Sequence, residues 1–181
     1  MLINIFNLMP LLLQLPFCIL RHSLLMFTRR HAIRKREAKQ IIQHINSYLG
    51  CSMDGSLEMA EYRGRKIFLV DGKLEGLFID EKPFLTVNGI KRWGAKNKWV
   101  MVDDGAIKFI LNGADVMAPG IIKADESIAK GDIVWVCDGR NLPLAVGRAL
   151  MDGREMIDAT RGKAVENLHH MGDELWKEGE W

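Results

Sequence analysis

Asp103-Asp-Gly-Ala-Ile-Lys-Phe-Ile-Leu-Asn-Gly-Ala-Asp-Val-Met-Ala-Pro-Gly120 is the stretch whose reading decides the fold. Asp103 or Asp104 can cap a helix through Ala106-Ile-Lys-Phe-Ile-Leu111, because a short carboxylate accepts from the free amides of a first turn. Gly113 is placed to end that helix in the left-handed conformation. Val116-Met-Ala118 then reads as a strand and Pro119-Gly120 as a turn. Downstream, Lys130-Gly-Asp leads into Ile133-Val-Trp-Val136, Leu144 to Ala149 supplies a strand carrying Gly147, and the C-terminal segment adds one or two more. Short strands separated by glycines predict a small closed β-structure whose glycines let a ligand backbone come close.

With 181 residues, 48% hydrophobic and 27% charged, the chain can bury one good core or two small ones. Cys18, Cys51 and Cys137 stand far apart without a C-x-x-C pair. That spacing supports neither a disulfide framework nor a zinc knuckle, and it predicts a reducing, cytoplasmic compartment. Residues 1–98 hold 16 Lys/Arg against 8 Asp/Glu, and residues 99–181 hold 9 against 15, so the halves carry +8 and −6. Two readings follow: two domains with different surfaces, the basic one facing a phosphate backbone, or mutual attraction between the halves.

Residues 1–25 are an apolar extension with Leu11-Leu-Leu13 and Phe17-Cys-Ile-Leu20. Its positive charges follow the apolar run, Pro10 and Pro16 interrupt it, and no small-residue cleavage site ends it. A translation start at Met26 is therefore expected, with a membrane anchor as the alternative.

From Ile33 onward, Ala38, Ile41, Ile42, Ile45, Tyr48 and Leu49 gather on one helical arc, while Arg29, Lys35, Arg36 and Lys39 fall largely opposite. The basic face is either solvated or a polyanion contact, and seven Lys/Arg between Arg21 and Lys39 against Glu37 alone favour the second. Strands are expected over Leu57–Tyr62, Lys66–Val70, Leu74–Ile79 and Phe84–Val87. Asp71-Gly72 is a hairpin signature, since the tight primed turn needs positive φ. Arg63, Arg65 and Lys66 cluster at another turn, as a solubilising tip or an extension of the basic face. Lys91-Arg-Trp93 and Lys96-Asn-Lys-Trp99 interleave cations with indoles, a composition suited to stacking and phosphate contact or to packing at a domain junction.

Catalytic chemistry finds little support. His169-His170 in a strand would face opposite sides, one buried and one exposed, with no third metal ligand marked by sequence. No phosphate-loop or dinucleotide fingerprint occurs, and Asp103-Asp104 and Asp173-Glu174 read as helix caps or solvated ends. Trp135 and Trp176 read as core or rim aromatics. Neither a cofactor nor a metal is expected.

Asp104-Gly-Ala through Asn112-Gly-Ala to Ala118-Pro-Gly-Ile121, with Lys130-Gly-Asp-Ile-Val134 and Ala145-Val-Gly147, resembles the PUA domain, the RNA-binding module named after pseudouridine synthases and archaeosine transglycosylases. The chain from Met26 resembles more particularly the malignant T-cell-amplified sequence proteins, on Gly105-Ala-Ile-Lys-Phe-Ile-Leu, Pro119-Gly120 and the ending Val165-Glu-Asn-Leu-His169 with Leu175-Trp176. The resemblance implies an α+β chain, with a pre-PUA α/β domain over 26–97 and a PUA β-pseudobarrel over 98–181. It implies a non-enzymatic RNA-binding translation factor that binds the small ribosomal subunit and/or the tRNA acceptor end, through rRNA and/or tRNA, in initiation, reinitiation or recycling. A density-regulated-protein-like partner is implied too. By the same analogy the RNA-facing surface comprises Lys108, Asn112, Gly113, Met117, Ala118, Pro119 and Gly120, with Arg148 on a nearby strand. Turn geometry alone also accounts for Gly113 and Gly120, and an i+4 pair with Asp104 accounts for Lys108. The alternatives are an RNA-targeting accessory subunit of a modification enzyme and a ribosome-assembly factor.

Overall fold

The computed structural model describes residues 27–179, so the apolar extension and the expected start at Met26 lie outside the described residues. The first half opens with β1 (Thr28–Ala32) and α1 (Lys35–Leu49). Ile41, Ile45 and Leu49 are the buried stripe of the helix, on the arc that the periodicity marks. The helix begins later than the sequence suggests because the Ile33 amide still donates to Leu57 O at 3.1 Å, which holds the chain extended. Arg29 therefore sits on an edge strand and not on the basic helix face.

A meander of β2 (Leu57–Tyr62), β3 (Arg65–Val70), β4 (Lys73–Ile79) and β5 (Lys82–Leu85) joins β1 in a five-stranded antiparallel sheet in chain order. Its hairpins are two-residue turns with both φ values positive: 50° and 80° at Asp71-Gly72, 49° and 77° at Arg63-Gly64, 49° and 60° at Asp80-Glu81. Such turns match the twist of the flanking strands. The third has no glycine and leaves no signature in the sequence. The strand expected over Phe84–Val87 stops at Leu85, because Thr86 Oγ1 accepts from the Gly89 amide at 3.1 Å and caps α2 (Val87–Trp93).

The second half runs β6 (Trp99–Val102), α3 (Asp104–Ile110), β7 (Val116–Met117), a 3-10 turn (Ala118–Gly120), β8 (Ile121–Ala124), β9 (Ile133–Cys137), β10 (Pro143–Ala149), α4 (Gly153–Asp158), β11 (Lys163–His170) and α5 (Glu174–Glu178). Ala118 belongs to the turn, where Pro119 removes a strand donor. The six strands lie in the order β7-β11-β10-β9-β6-β8, with β6 and β9 the parallel pair. Both edge strands, β7 and β8, are consecutive in the chain and joined by three residues. The sheet thus curls until its edges approach, which gives the pseudobarrel and protects both edges.

One apolar run explains how the halves join. Val134 and Val136 pack inside the pseudobarrel, whereas Ile133, Trp135 and Cys137 point the other way into the core of the first half, beside Val146 and Leu175. Every residue of β9 is buried because each face of the strand is covered. Polar contacts follow the same seam: Tyr48 donates to Ile133 O at 3.2 Å, Arg65 to Leu168 O at 2.9 Å, and Asn88 to Trp176 O at 3.0 Å. Attraction between the oppositely charged halves is also realised, since Arg148 pairs with Asp80 at 2.6 Å and Arg63 with Glu174. Gly147 serves strand packing within the pseudobarrel: a Cβ there would lie 2.2 Å from Glu166 O on β11.

Candidate nucleic-acid interface

On the pseudobarrel, α3, β7, the 3-10 turn and the start of β11 enclose an open groove of about 670 Å³. Local chemistry builds it. Asp103 Oδ1 accepts from the Ala106 amide at 2.8 Å and starts the helix, while the Asp103 amide donates to Gly120 O at 2.9 Å and ties the turn against it. Asn167 Nδ2 donates to Ile110 O and Ala114 O, both at 3.1 Å, and fixes the loop beyond the helix. The walls include Gly105, Ala106, Phe109, Met117, Pro119 and Gly120.

Two large apolar side chains are left in water there, Phe109 at 65% and Met117 at 46% exposure. An apolar shelf of this kind on a charged protein is unusual unless something covers it. Few charges serve the groove. Lys163 Nζ sits 2.8 Å from Asp115 Oδ2, and that hydrogen bond, with the Asn167 amide on Oδ1, holds the Asp115 carboxyl below its ordinary range. The same pair raises Lys163. Asp103 and Asp115 against Lys163 make a site that favours a flat apolar group over a bare phosphate.

The residues expected to face RNA divide. Met117, Pro119 and Gly120 line the groove, and Ala118 is buried beneath it. Lys108 is exposed on α3 but outside the lining, and the Asn112 side chain caps the helix by donating to Lys108 O at 2.9 Å. Gly113 turns the chain at φ 83° against the ring of His170, so its place is explained by geometry. Arg148 stands apart from the groove: the contact across the seam and a 3.3 Å pair with Glu166 occupy its guanidinium. Of the expected basic face, Arg29 pairs with Glu61, Arg63 with Glu174 and Lys66 with Glu81, and Arg65 is spent on Leu168 O. Lys35, Arg36 and Lys39 remain exposed on α1, with no ion pair among the described residues.

Phe109 and Lys163 were not expected. Phe109 had a signal, since Ile107, Ile110 and Leu111 define the inward arc of the helix and Phe109 falls off it. Lys163 reaches the groove only through its pairing with Met117 across β11 and β7, a contact far apart in sequence. Gly120 is not a left-handed turn glycine; a Cβ there would come within 3.1 Å of Ala106 Cβ. Gly120→Ala is expected to cost about 1–3 kcal/mol by pushing the turn off α3, read as a lower urea midpoint with an unchanged slope.

The His169-His170 pair serves structure. His169 is fully buried: its Nε2 accepts from the Val87 amide at 3.2 Å, and so its Nδ1 carries the proton donated to Asp173 at 2.8 Å. Among the described residues no group of three or more His, Cys, Asp or Glu is placed to hold a metal ion, and no helix is long and apolar enough to cross a membrane.

Comparison with known proteins agrees with this architecture. The PUA domain family matches residues 98–171, and a domain of unknown function, DUF1947, matches residues 29–91. An uncharacterized protein of Methanocaldococcus jannaschii is 38% identical over 154 residues, covering 82% of this chain and 95% of its own. Translation machinery-associated protein 20 of Schizosaccharomyces pombe is 41% identical over 83 residues, which span 43% of this chain and 46% of that protein. Among solved structures, a conserved PUA domain protein from Thermoplasma acidophilum is 35% identical with a TM-score of 0.73, covering 83% of this chain and 99% of its own. The chain belongs to the PUA-domain family, in the two-part form that it shares with these archaeal proteins.

Proposed function

We propose that this protein is a non-enzymatic, RNA-binding translation factor of the cytoplasm, and that the α3–β7 groove receives an unstacked base. The observation that carries this reading is the exposed pair Phe109 and Met117 on a groove with few charges. A single-stranded RNA offers bases that can be splayed out onto such a shelf, while backbone groups at Gly105 and Gly120 approach ribose or phosphate. The similarity to a translation machinery-associated protein supports a role in translation. The proposed targets are the small ribosomal subunit and/or the tRNA acceptor end, and the proposed partner is density-regulated-protein-like. Lys35, Arg36 and Lys39 supply further phosphate contacts from α1.

Phe109→Ala and Met117→Ala test the groove. Loss of an aromatic stacking platform is worth about 1–3 kcal/mol, so roughly 5- to 150-fold weaker binding to a fluorescent single-stranded RNA is expected for Phe109→Ala, with a smaller loss for Met117→Ala. The melting temperature should stay put, because both side chains already face water. Undiminished affinity in both variants would remove the groove from the RNA surface. On sucrose gradients the wild type should travel with mature small subunits; migration with a modification enzyme or with precursor particles would favour the accessory-subunit or assembly roles instead.

A further inference from the structure

The stretch of cations and indoles around residue 91 has no part in the groove, yet it lies on the seam between the halves. Two crevices meet there. One, of about 480 Å³, runs between α2 and the β9–β10 loop and is lined by Lys91, Gly94, Trp135 and Arg140. The other, of about 320 Å³, is lined by Lys73, Lys91, Arg92, Asn88 and Trp176. Lys91 is common to both walls.

Charge on this seam is layered. Arg92 pairs with Glu75 at 2.5 Å and Arg140 with Asp138 at 3.0 Å, but the acids are the buried partners: side-chain exposure is 5% and 3% for Glu75 and Asp138, against 37% and 84% for their arginines. The surface shows the guanidinium groups and hides the carboxylates. Lys73 and Lys91 are exposed and have no ion pair among the described residues. Asp71 adds an exposed carboxylate near Arg92, and its Oδ1 is engaged by the Ser56 amide and hydroxyl at 2.9 Å. A helix C-terminus attracts cations by itself, which accounts for Lys91 and Arg92 in the last turn of α2. It does not account for Lys73 from β4 and Arg140 from another loop converging on the same seam. The backbone at Gly94 is open as well, with nothing within 4 Å of where a Cβ would stand.

A groove that holds a base but few cations leaves the phosphates of the same strand to be neutralised elsewhere, and phosphate contacts supply most of the affinity for RNA. We propose that the seam marked by Lys73, Lys91 and Arg140 is a second RNA contact, which carries the phosphodiester backbone of a single strand across the junction of the halves. This rests on the RNA-binding reading of the groove. The indole of Trp176, half-buried in one crevice, offers a stacking face beside the track.

The test is a salt titration of the full chain with a fluorescein-labelled oligouridine of about 20 nucleotides. Each phosphate contact on a single strand contributes about 0.7 to the slope of log K against log salt, so K73Q/K91Q/R140Q should flatten it by about 2. Arg92 is left in place because it covers Glu75, whereas Asp138 keeps the Arg140 and Leu142 amides, at 2.9 and 2.8 Å, when the Arg140 side chain is changed. Phe109→Ala should weaken binding without moving the slope. A triple variant with the wild-type slope and wild-type melting temperature overturns the proposal, whatever Phe109→Ala does. A slope that falls only in K35Q/R36Q/K39Q overturns it too, by routing the backbone over α1. Failure of the wild type to bind the oligouridine at any salt sinks both this proposal and the groove reading, whereas loss on Phe109→Ala with an unmoved triple variant sinks the seam alone.

Discussion

Trp135→Ala is expected to destabilise the whole chain by about 3–5 kcal/mol, as truncation of a buried tryptophan generally does. Trp135 is 2% exposed and belongs by sequence to the second half, yet its indole packs in the core of the first, and its Nε1 donates to Asn97 O at 2.9 Å. Truncation opens a cavity at the seam where both halves share a core and removes the donor from a backbone carbonyl. Total stability of a domain is about 5–15 kcal/mol, so the loss is a large fraction. Calorimetry should record a single transition lowered by roughly 6–20 °C, given about 2–4 °C per kcal/mol for a chain of this size. Two separated transitions, with only one displaced, would mean that the halves fold independently and that the shared core contributes little.

That junction shows what could be read from the sequence and what could not. Ile133-Val-Trp-Val-Cys137 announces a strand, and its unbroken hydrophobicity announces cover on both faces, but period two cannot say what the second cover is. Local signals fared best. Asp71-Gly72, the Asp103 cap and Gly113 each act within four residues of themselves, so their chemistry is legible without the fold. Asp80-Glu81 turns the chain without a glycine, and Thr86 caps a seven-residue helix that itself contains Gly89; weak local propensity there yields to packing. Charge was legible in amount but not in direction. Arg63, Arg65 and Arg148 looked available because a sequence does not show Glu174, Leu168 O and Asp80 across the seam. Groove residues followed the same division: Met117, Pro119 and Gly120 lie in one local motif, whereas Lys163 arrives through a strand pairing.

Asp173 closes the seam from the other side, and its removal should be nearly as costly. One carboxylate takes hydrogen bonds from His169 Nδ1 at 2.8 Å, from the Trp176 amide at 2.7 Å and from the His170 amide at 3.2 Å. The first of these orients a fully buried imidazole toward the Val87 amide, so Asp173 holds β11, α5 and the start of α2 together. Asp173→Ala loses a helix cap worth about 1 kcal/mol and strands a buried N–H at about 1–3 kcal/mol, about 2–4 kcal/mol in all. Burial alone would raise the Asp173 pKa, but the hydrogen bond from His169 and those from the Trp176 and His170 amides outweigh it and hold the carboxyl below its usual range. An acid with a depressed folded pKa contributes stability that is fully present above its unfolded value and is lost as pH falls through the folded one. Urea midpoints measured downward from neutral pH should therefore drop below about pH 4 in the wild type. Asp173→Asn keeps an oxygen for the Trp176 amide but cannot titrate, so its acid limb should be shallower from a lower starting point. Parallel limbs in the two proteins would show that Asp173 is not among the groups whose protonation loosens the seam.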